Sequence, residues 1–437
     1  MQNSGTALLI KKNEYPFASM ILVIALILLS PFTTLYLNYV ALLICLMRMI
    51  LRDAKVFVTD YCLLVPLEQI YRTPDGMSLL IWLCLIASLW YFVRSKIRAN
   101  SALICILALL NYLIARMQMD INSFVLCFGQ LFILYVLLPK LDVCSAVRSS
   151  KLYCWSLALT SLFALPLRNT AKLIAVRGIE TTAIWGTTIM RFQGLFRDPN
   201  YYATLLIVAL AILCKLKETG NIRNFFFWAL CALLTIFGIL TYSKMFFLVF
   251  VLLGGIYIVW QFWNKRVFRG VFFASVAIIA ALYLLLSENS PIAVIMTRLT
   301  SGKDLSDFTT GRTDIIAEYW IAITDNVRTF LFGYGMKEPV LRKDPHNIYL
   351  EIAYYFGVVG LCGFLLYYIA IAKCIQRMVP SSRNQNLIAK YVVLAMVAIL
   401  YFALHGVFEV LTYAGIFIAY MSILILPNVD EKRCDLN

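Results

Sequence analysis

Apolar stretches of helix length recur along almost the whole chain. They lie near residues 17–32, 34–51, 56–71, 77–93, 101–116, 122–139, 151–166, 199–215, 222–240, 244–262, 268–286, 347–372, 387–404 and 406–427. Most approach the roughly 17–25 residues that carry a helix across the hydrocarbon core of a bilayer. Charged residues sit largely between these runs, and no segment of about ten residues alternates polar and apolar, which excludes a membrane β-barrel. A soluble fold is excluded by composition, since 62% of the 437 residues are hydrophobic, 14% are charged and the mean hydropathy is +0.83. The expected fold class is therefore all-α: a polytopic transmembrane helical bundle of about 12–14 spans, with two long outer loops containing short helices. The weakest run is 56–71, which carries Asp60, Pro66 and Glu68. Lys11 and Lys12 precede the first run, no small-residue cleavage site follows it, and a first transmembrane helix is expected rather than a removed signal.

The formal charge of +15 reflects topology rather than nucleic acid. With both termini in the cytoplasm, every inner segment holds at least two basic residues, among them Arg48, Arg52 and Lys55, and Lys265, Arg266 and Arg269. Deleting the run at 56–71 would move Arg48, Arg52 and Lys55 outside, so the positive-inside rule keeps it. The same rule leaves two outer loops unexplained. The loop 167–198 holds Arg168, Lys172, Arg177, Arg191 and Arg197, and the loop 287–346 holds Arg298, Lys303, Arg312, Arg328, Lys337, Arg342 and Lys343. These loops divide the chain into N-terminal spans (1–166), a core with both loops (167–372) and C-terminal spans (373–437). Within the second loop, Ile315, Ile316, Tyr319, Trp320 and Ile323 follow helical spacing. An amphipathic helix over 313–326 is expected there, resting on the bundle or in the membrane interface with Trp320 as an anchor.

Chemistry has few residues to draw on. The chain has no P-loop, no HExxH, no GxGxxG in a βαβ setting, no Asp-x-Asp pair and no CxxC pair, and only two histidines, His346 and His405. That leaves arginines and one well-placed histidine. A guanidinium offers a permanent, two-pronged grip on phosphate, and an imidazole takes a proton near neutral pH. Arg312 follows Gly311 at a helix start and is either a phosphate clamp or a solvated helix-end arginine. His346 stands at a membrane boundary and is either a base or a helix-capping residue. Counted at about 100° per residue, Ala353, Gly357 and Gly360 share its face, and small residues admit a close neighbour, which turns His346 toward the bundle. Asn347 reads as a helix-start residue. In Arg191 to Asn200, Asp198 suits an N-cap and Pro199 the first helical position, whereas Arg191 and Arg197 fit either phosphate docking at a helix entrance or lipid headgroups. Lys244, the only base in the Tyr242-Ser243-Lys244 turn, is a site residue or an interfacial lysine. His405 reads as structural.

His346-Asn347, nine residues, Gly357, two residues and Gly360 resembles the signature of the O-antigen ligase and O-antigen polymerase superfamily. Gly311-Arg312 with Trp320 downstream, Phe332-Gly333-Tyr334-Gly335, and Arg191 to Asn200 resemble other blocks of that family, so the likeness covers roughly 185–372. The resemblance implies a glycosyltransferase of the GT-C type in the bacterial inner membrane, with its active site outside and no metal or other cofactor. Its donor would be an undecaprenyl-diphosphate-linked glycan, its acceptor a second glycan, and its surroundings the lipid bilayer, with a flippase and a chain-length regulator as partners. By the same resemblance Arg312 binds donor phosphate and His346 is the base, with Arg191, Arg197 and Lys244 around the diphosphate. The chain has Ser243-Lys244 where the family usually has Ser-Arg, a point charge in place of a fork. The expected activity is polymerisation of lipid-linked repeat units into a surface polysaccharide. Three alternatives remain: a ligase moving the glycan to lipid A core, a lipid-linked oligosaccharide flippase, and a non-catalytic scaffold.

Overall fold

A computed structural model describes residues 17–94, helical pieces within 103–112, residues 143–263 apart from 185, 186 and 219, residues 312–335 and 347–378, and isolated positions at 136, 294–295 and 341. The expected spans at 122–139, 268–286, 387–404 and 406–427, most of 101–116, and both histidines lie outside the described residues.

The described part is mostly helical. Helices α1 (Phe17–Leu29), α2 (Leu37–Leu51), α3 (Ala54–Leu64) and α4 (Leu79–Arg94) precede α5 (Val143–Leu167) and the short α6 (Ala171–Arg177). Then come α7 (Pro199–Glu218), α8 (Asn224–Leu240), α9 (Lys244–Trp263), α10 (Arg312–Thr324), α11 (Val327–Phe332) and α12 (Ile348–Met378). One departure from an all-helical reading lies in the first long loop. Strands β1 (Thr181–Ile184) and β2 (Thr187–Met190) pair antiparallel, with Thr181 opposite Met190. Among the described residues, one helical window, Tyr349–Leu366, is long and apolar enough to cross a membrane by length and composition, and five shorter apolar helices accompany it, including Phe17–Phe32 and Asn224–Leu240.

Packing follows sequence neighbours and is pinned by polar side chains. Helix α1 lies on α2, α3 on α5, and α7 on α5, α8 and α9. Between α3 and α5, the Ser156 hydroxyl donates to the Leu63 carbonyl at 2.6 Å, and Thr59 and Ser149 hydroxyls meet at 3.0 Å. Between α5 and α7, Tyr153 donates to the Leu205 carbonyl at 3.0 Å. Such bonds satisfy hydroxyls where water is absent and fix how helices meet. The run at 56–71 forms α3, and its Asp60 takes both prongs of the buried Arg48 guanidinium, at 2.8 and 2.7 Å, while Arg48 also donates to the Ser19 hydroxyl. The acid that weakened the sequence signal is thus neutralised by an arginine from α2.

Helix α12 is broken. Gly357 adopts φ 67°, ψ −174°, a backbone region essentially reserved for glycine. A break strands the carbonyls of the preceding turn, and each one finds a donor. Tyr334 N–H donates to Tyr354 O and Gly335 N–H to Tyr355 O, both at 2.9 Å, and the Tyr112 hydroxyl donates to Phe356 O at 2.5 Å. The segment 331–335 fits so closely that a Cβ on Gly357 would collide with the Leu331 carbonyl, and one on Gly333 would collide with the Tyr355–Phe356 peptide. The Phe332-Gly333-Tyr334-Gly335 block and Gly357 are therefore two sides of one joint.

The joint corrects the helical-face argument. Helix α12 begins at Ile348, so His346 precedes it, and the break at Gly357 removes a constant angle per residue between 346 and 360. Gly360 abuts Phe356 of its own helix and Tyr112 of the helical piece within 103–112.

Candidate functional site

Two groups of expected site residues can be placed. The first gathers at the end of the bundle where α7 and α9 start and α8 stops. Helix α8 ends at Leu240, leaving carbonyls without helical partners. Phe192 N–H donates to Leu240 O at 2.9 Å, and Arg191 Nε donates to Thr241 O at 2.9 Å. A guanidinium at a helix C-terminus is doubly favoured, by hydrogen bond and by dipole. Capping therefore does account for Arg191, through a helix far along the chain. Its other arm reaches α7: Nη2 donates to Asn200 Oδ1 at 3.0 Å. Arg191 is 9% exposed.

The turn from α8 to α9 supplies the rest. Tyr242 takes a positive φ of 50°, and Thr241 folds its hydroxyl back onto the Gly238 carbonyl at 2.6 Å. Ser243 caps α9, its hydroxyl oxygen accepting from Phe246 N–H at 3.3 Å. That hydroxyl donates in turn to Asn200 Oδ1 at 2.9 Å. Asn200 is thus gripped from both sides, by Arg191 and by Ser243. On α7, Asp198 Oδ1 accepts from Asn200 N–H at 2.5 Å and Pro199 opens the helix, as the sequence led one to expect. Lys244 is the first residue of α9 and is half-buried beside this network. Arg197 lies exposed in the turn before α7 and makes no hydrogen bond among the described residues.

Gln193 fastens the hairpin to this end. Its amide nitrogen donates to Gly178 O at 3.0 Å, and its carbonyl accepts from Glu180 N–H at 3.1 Å. Nearby Arg177 is 3% exposed and donates Nη2 to Arg168 O at 2.8 Å. Burial pushes its guanidinium down to about 10.

The second group belongs to α10, α11 and the first half of α12. Arg312 opens α10, with its side chain outside the described residues. Helix α10 stops at Thr324, two residues short of the expected end, because Asn326 starts α11 through a reciprocal cap with Thr329. Tyr319 and Ile323 of α10 are buried, with the Tyr319 ring 4.9 Å from that of Tyr354 in α12. Ile316 and Trp320 are exposed. Asn347 caps α12, its Oδ1 accepting from Tyr349 N–H at 3.0 Å and Leu350 N–H at 3.2 Å, so it is a helix-start residue as read. His346 immediately precedes that cap. Glu351, a buried carboxyl in the first turn of α12, was passed over in the sequence reading, as were Asn200 and Ser243. Asn200 and Ser243 sit within quoted motifs, but only the meeting of α7 with the α8–α9 turn singles them out.

Among the described residues no three His, Cys, Asp or Glu side chains gather into a metal-binding group. Chemically, the first group offers fixed donors, a half-buried ammonium and the starts of two helices, an arrangement suited to anionic oxygen. Comparison with known proteins agrees with the resemblance. No curated protein and no solved structure matches the chain significantly. Residues 229–365, which contain Lys244, Arg312 and His346, match the family model described as O-antigen ligase.

Proposed function

We propose that the protein is an inner-membrane glycan polymerase that elongates undecaprenyl-diphosphate-linked oligosaccharides on the outer face of the membrane. The glycosyl-transfer part of this reading rests on the family match over 229–365, within which Lys244, Arg312 and His346 all fall, and the Asp198-Pro199-Asn200 block favours polymerase over ligase. The membrane setting is supported by large apolar side chains that face outward from the helices, such as Ile21 at 63% exposure and Leu43 at 61%. Some described helices fall short of a straight crossing, α1 having 13 residues and α2 15. The broken α12 has its freed carbonyls satisfied from within, a requirement for irregular backbone at membrane depth.

In the reaction, a hydroxyl of an incoming repeat unit attacks the anomeric carbon of the growing glycan. A carbon–oxygen bond forms to the acceptor, the bond from the anomeric carbon to the phosphate oxygen breaks, and the electron pair leaves with the diphosphate. His346 takes the hydroxyl proton. Arg312, Arg197 and Lys244 stabilise the departing charge, with Arg191 contributing its charge from behind Asn200. Attack opposite the leaving group inverts the anomeric carbon.

Cells lacking the protein separate this reading from its nearest relative. Loss of a polymerase leaves surface glycan of a single repeat unit. Loss of a ligase leaves long glycan held on undecaprenyl diphosphate and none on lipid A core. Unchanged surface glycan would refute both.

A further inference from the structure

We infer that Asn200 is a donor-binding residue of this site, and that Arg191 and Ser243 are positioning residues that aim its amide. The inference rests on the glycosyl-transfer reading above. An asparagine amide has one acceptor end and one donor end, and its neighbours decide which way it points. Here both neighbours are donors. Arg191 has no acceptor to offer, and it lies 3.0 Å from the oxygen end. The Ser243 hydroxyl oxygen accepts from Phe246 N–H, so its proton is the one directed at Asn200, at 2.9 Å. Two donors on one oxygen fix the amide, and the –NH2 faces the other way.

That –NH2 makes no hydrogen bond among the described residues, although Asn200 is half-buried and its backbone and oxygen end are fully engaged. Asn200 stands in the first turn of α7, and the Ser243 that holds its oxygen end directly precedes the half-buried Lys244 in the chain. A fixed, neutral, two-hydrogen donor in the first turn of a helix suits a diphosphate oxygen, because orienting it carries no further cost when charge develops. The arrangement also accounts for a buried arginine among expected phosphate ligands: Arg191 serves the ligand through Asn200.

Asn200→Asp tests this. Aspartate keeps acceptors for Arg191 and Ser243 but replaces the –NH2 with a second carboxylate oxygen, which repels an anion. Full-length wild type, Asn200→Asp and Asn200→Ala in lipid nanodiscs are compared for thermal unfolding and for binding of undecaprenyl diphosphate. The inference predicts that Asn200→Asp unfolds like wild type yet binds about ten- to hundredfold more weakly, and that its KM for lipid-linked donor rises more than its kcat falls. Asn200→Ala loses both stability and affinity. Wild-type affinity in Asn200→Asp overturns the inference and leaves the glycosyl-transfer reading intact. So does a loss of stability in Asn200→Asp equal to that of Asn200→Ala, which makes the amide a girder. Failure of the wild type itself to bind undecaprenyl diphosphate overturns both.

Discussion

Gly357→Ala strikes the joint on which the first half of α12 depends. Alanine at φ 67°, ψ −174° costs about 1–3 kcal/mol in backbone strain alone. Its methyl group also occupies the place of the Leu331 carbonyl. Moving 331–335 aside breaks the 2.9 Å bonds from Tyr334 and Gly335 to the Tyr354 and Tyr355 carbonyls, and each buried carbonyl left bare costs about 1–3 kcal/mol. The expected loss is therefore about 3 kcal/mol or more. Gly178 supplies the control, since it has nearly the same backbone angles, φ 76° and ψ −177°, with nothing within 4 Å of an added Cβ. Gly178→Ala should show the strain alone, about 1–3 kcal/mol. Gly254, in open space within α9, should gain about 0.5–1 kcal/mol as alanine. Thermal unfolding of the full chain in detergent, followed by size exclusion, ranks the three. Gly357→Ala unfolding at the temperature of Gly178→Ala would refute the docked joint.

The remaining predictions concern charges. If Lys244 contacts phosphate, Lys244→Ala loses activity and Lys244→Arg keeps most of it, whereas full activity in Lys244→Ala makes the lysine merely interfacial. Arg312→Lys should lose most activity in a glycan-ladder assay because the two-pronged donor is gone, on the order of 10²–10³ in rate; normal ladders would remove Arg312 from the site. Breaking the buried Arg48–Asp60 pair with Asp60→Leu should destabilise the protein by about 3–5 kcal/mol. The double change Arg48→Met with Asp60→Leu should restore much of it, as read by thermal unfolding.

The positions of the helices were legible because their apolar runs are continuous. Among the described residues, helices form at nine of the expected spans, including the doubtful one at 56–71, where Arg48 answers Asp60. The hairpin was overlooked, although Thr181, Thr182, Ile184, Thr187, Thr188 and Ile189 carry a strand-forming, β-branched signal. The break in α12 was hidden because glycine in an apolar run reads equally as a packing residue and as a hinge. Only the partner segment 331–335 decides between them. Local capping by Asp198 and Asn347 could be read from neighbours in sequence. Arg191 could not, because the carbonyl it caps belongs to Thr241, 50 residues away.

The most direct test of the account is release of undecaprenyl diphosphate by the purified, membrane-reconstituted protein supplied with undecaprenyl-diphosphate-linked repeat units and no metal. The account predicts release in step with glycan elongation by the wild type, and a fall of roughly 10²–10⁴ in His346→Ala at unchanged protein level. Elongation by His346→Ala at the wild-type rate, or release by the wild type without any longer glycan, would contradict it.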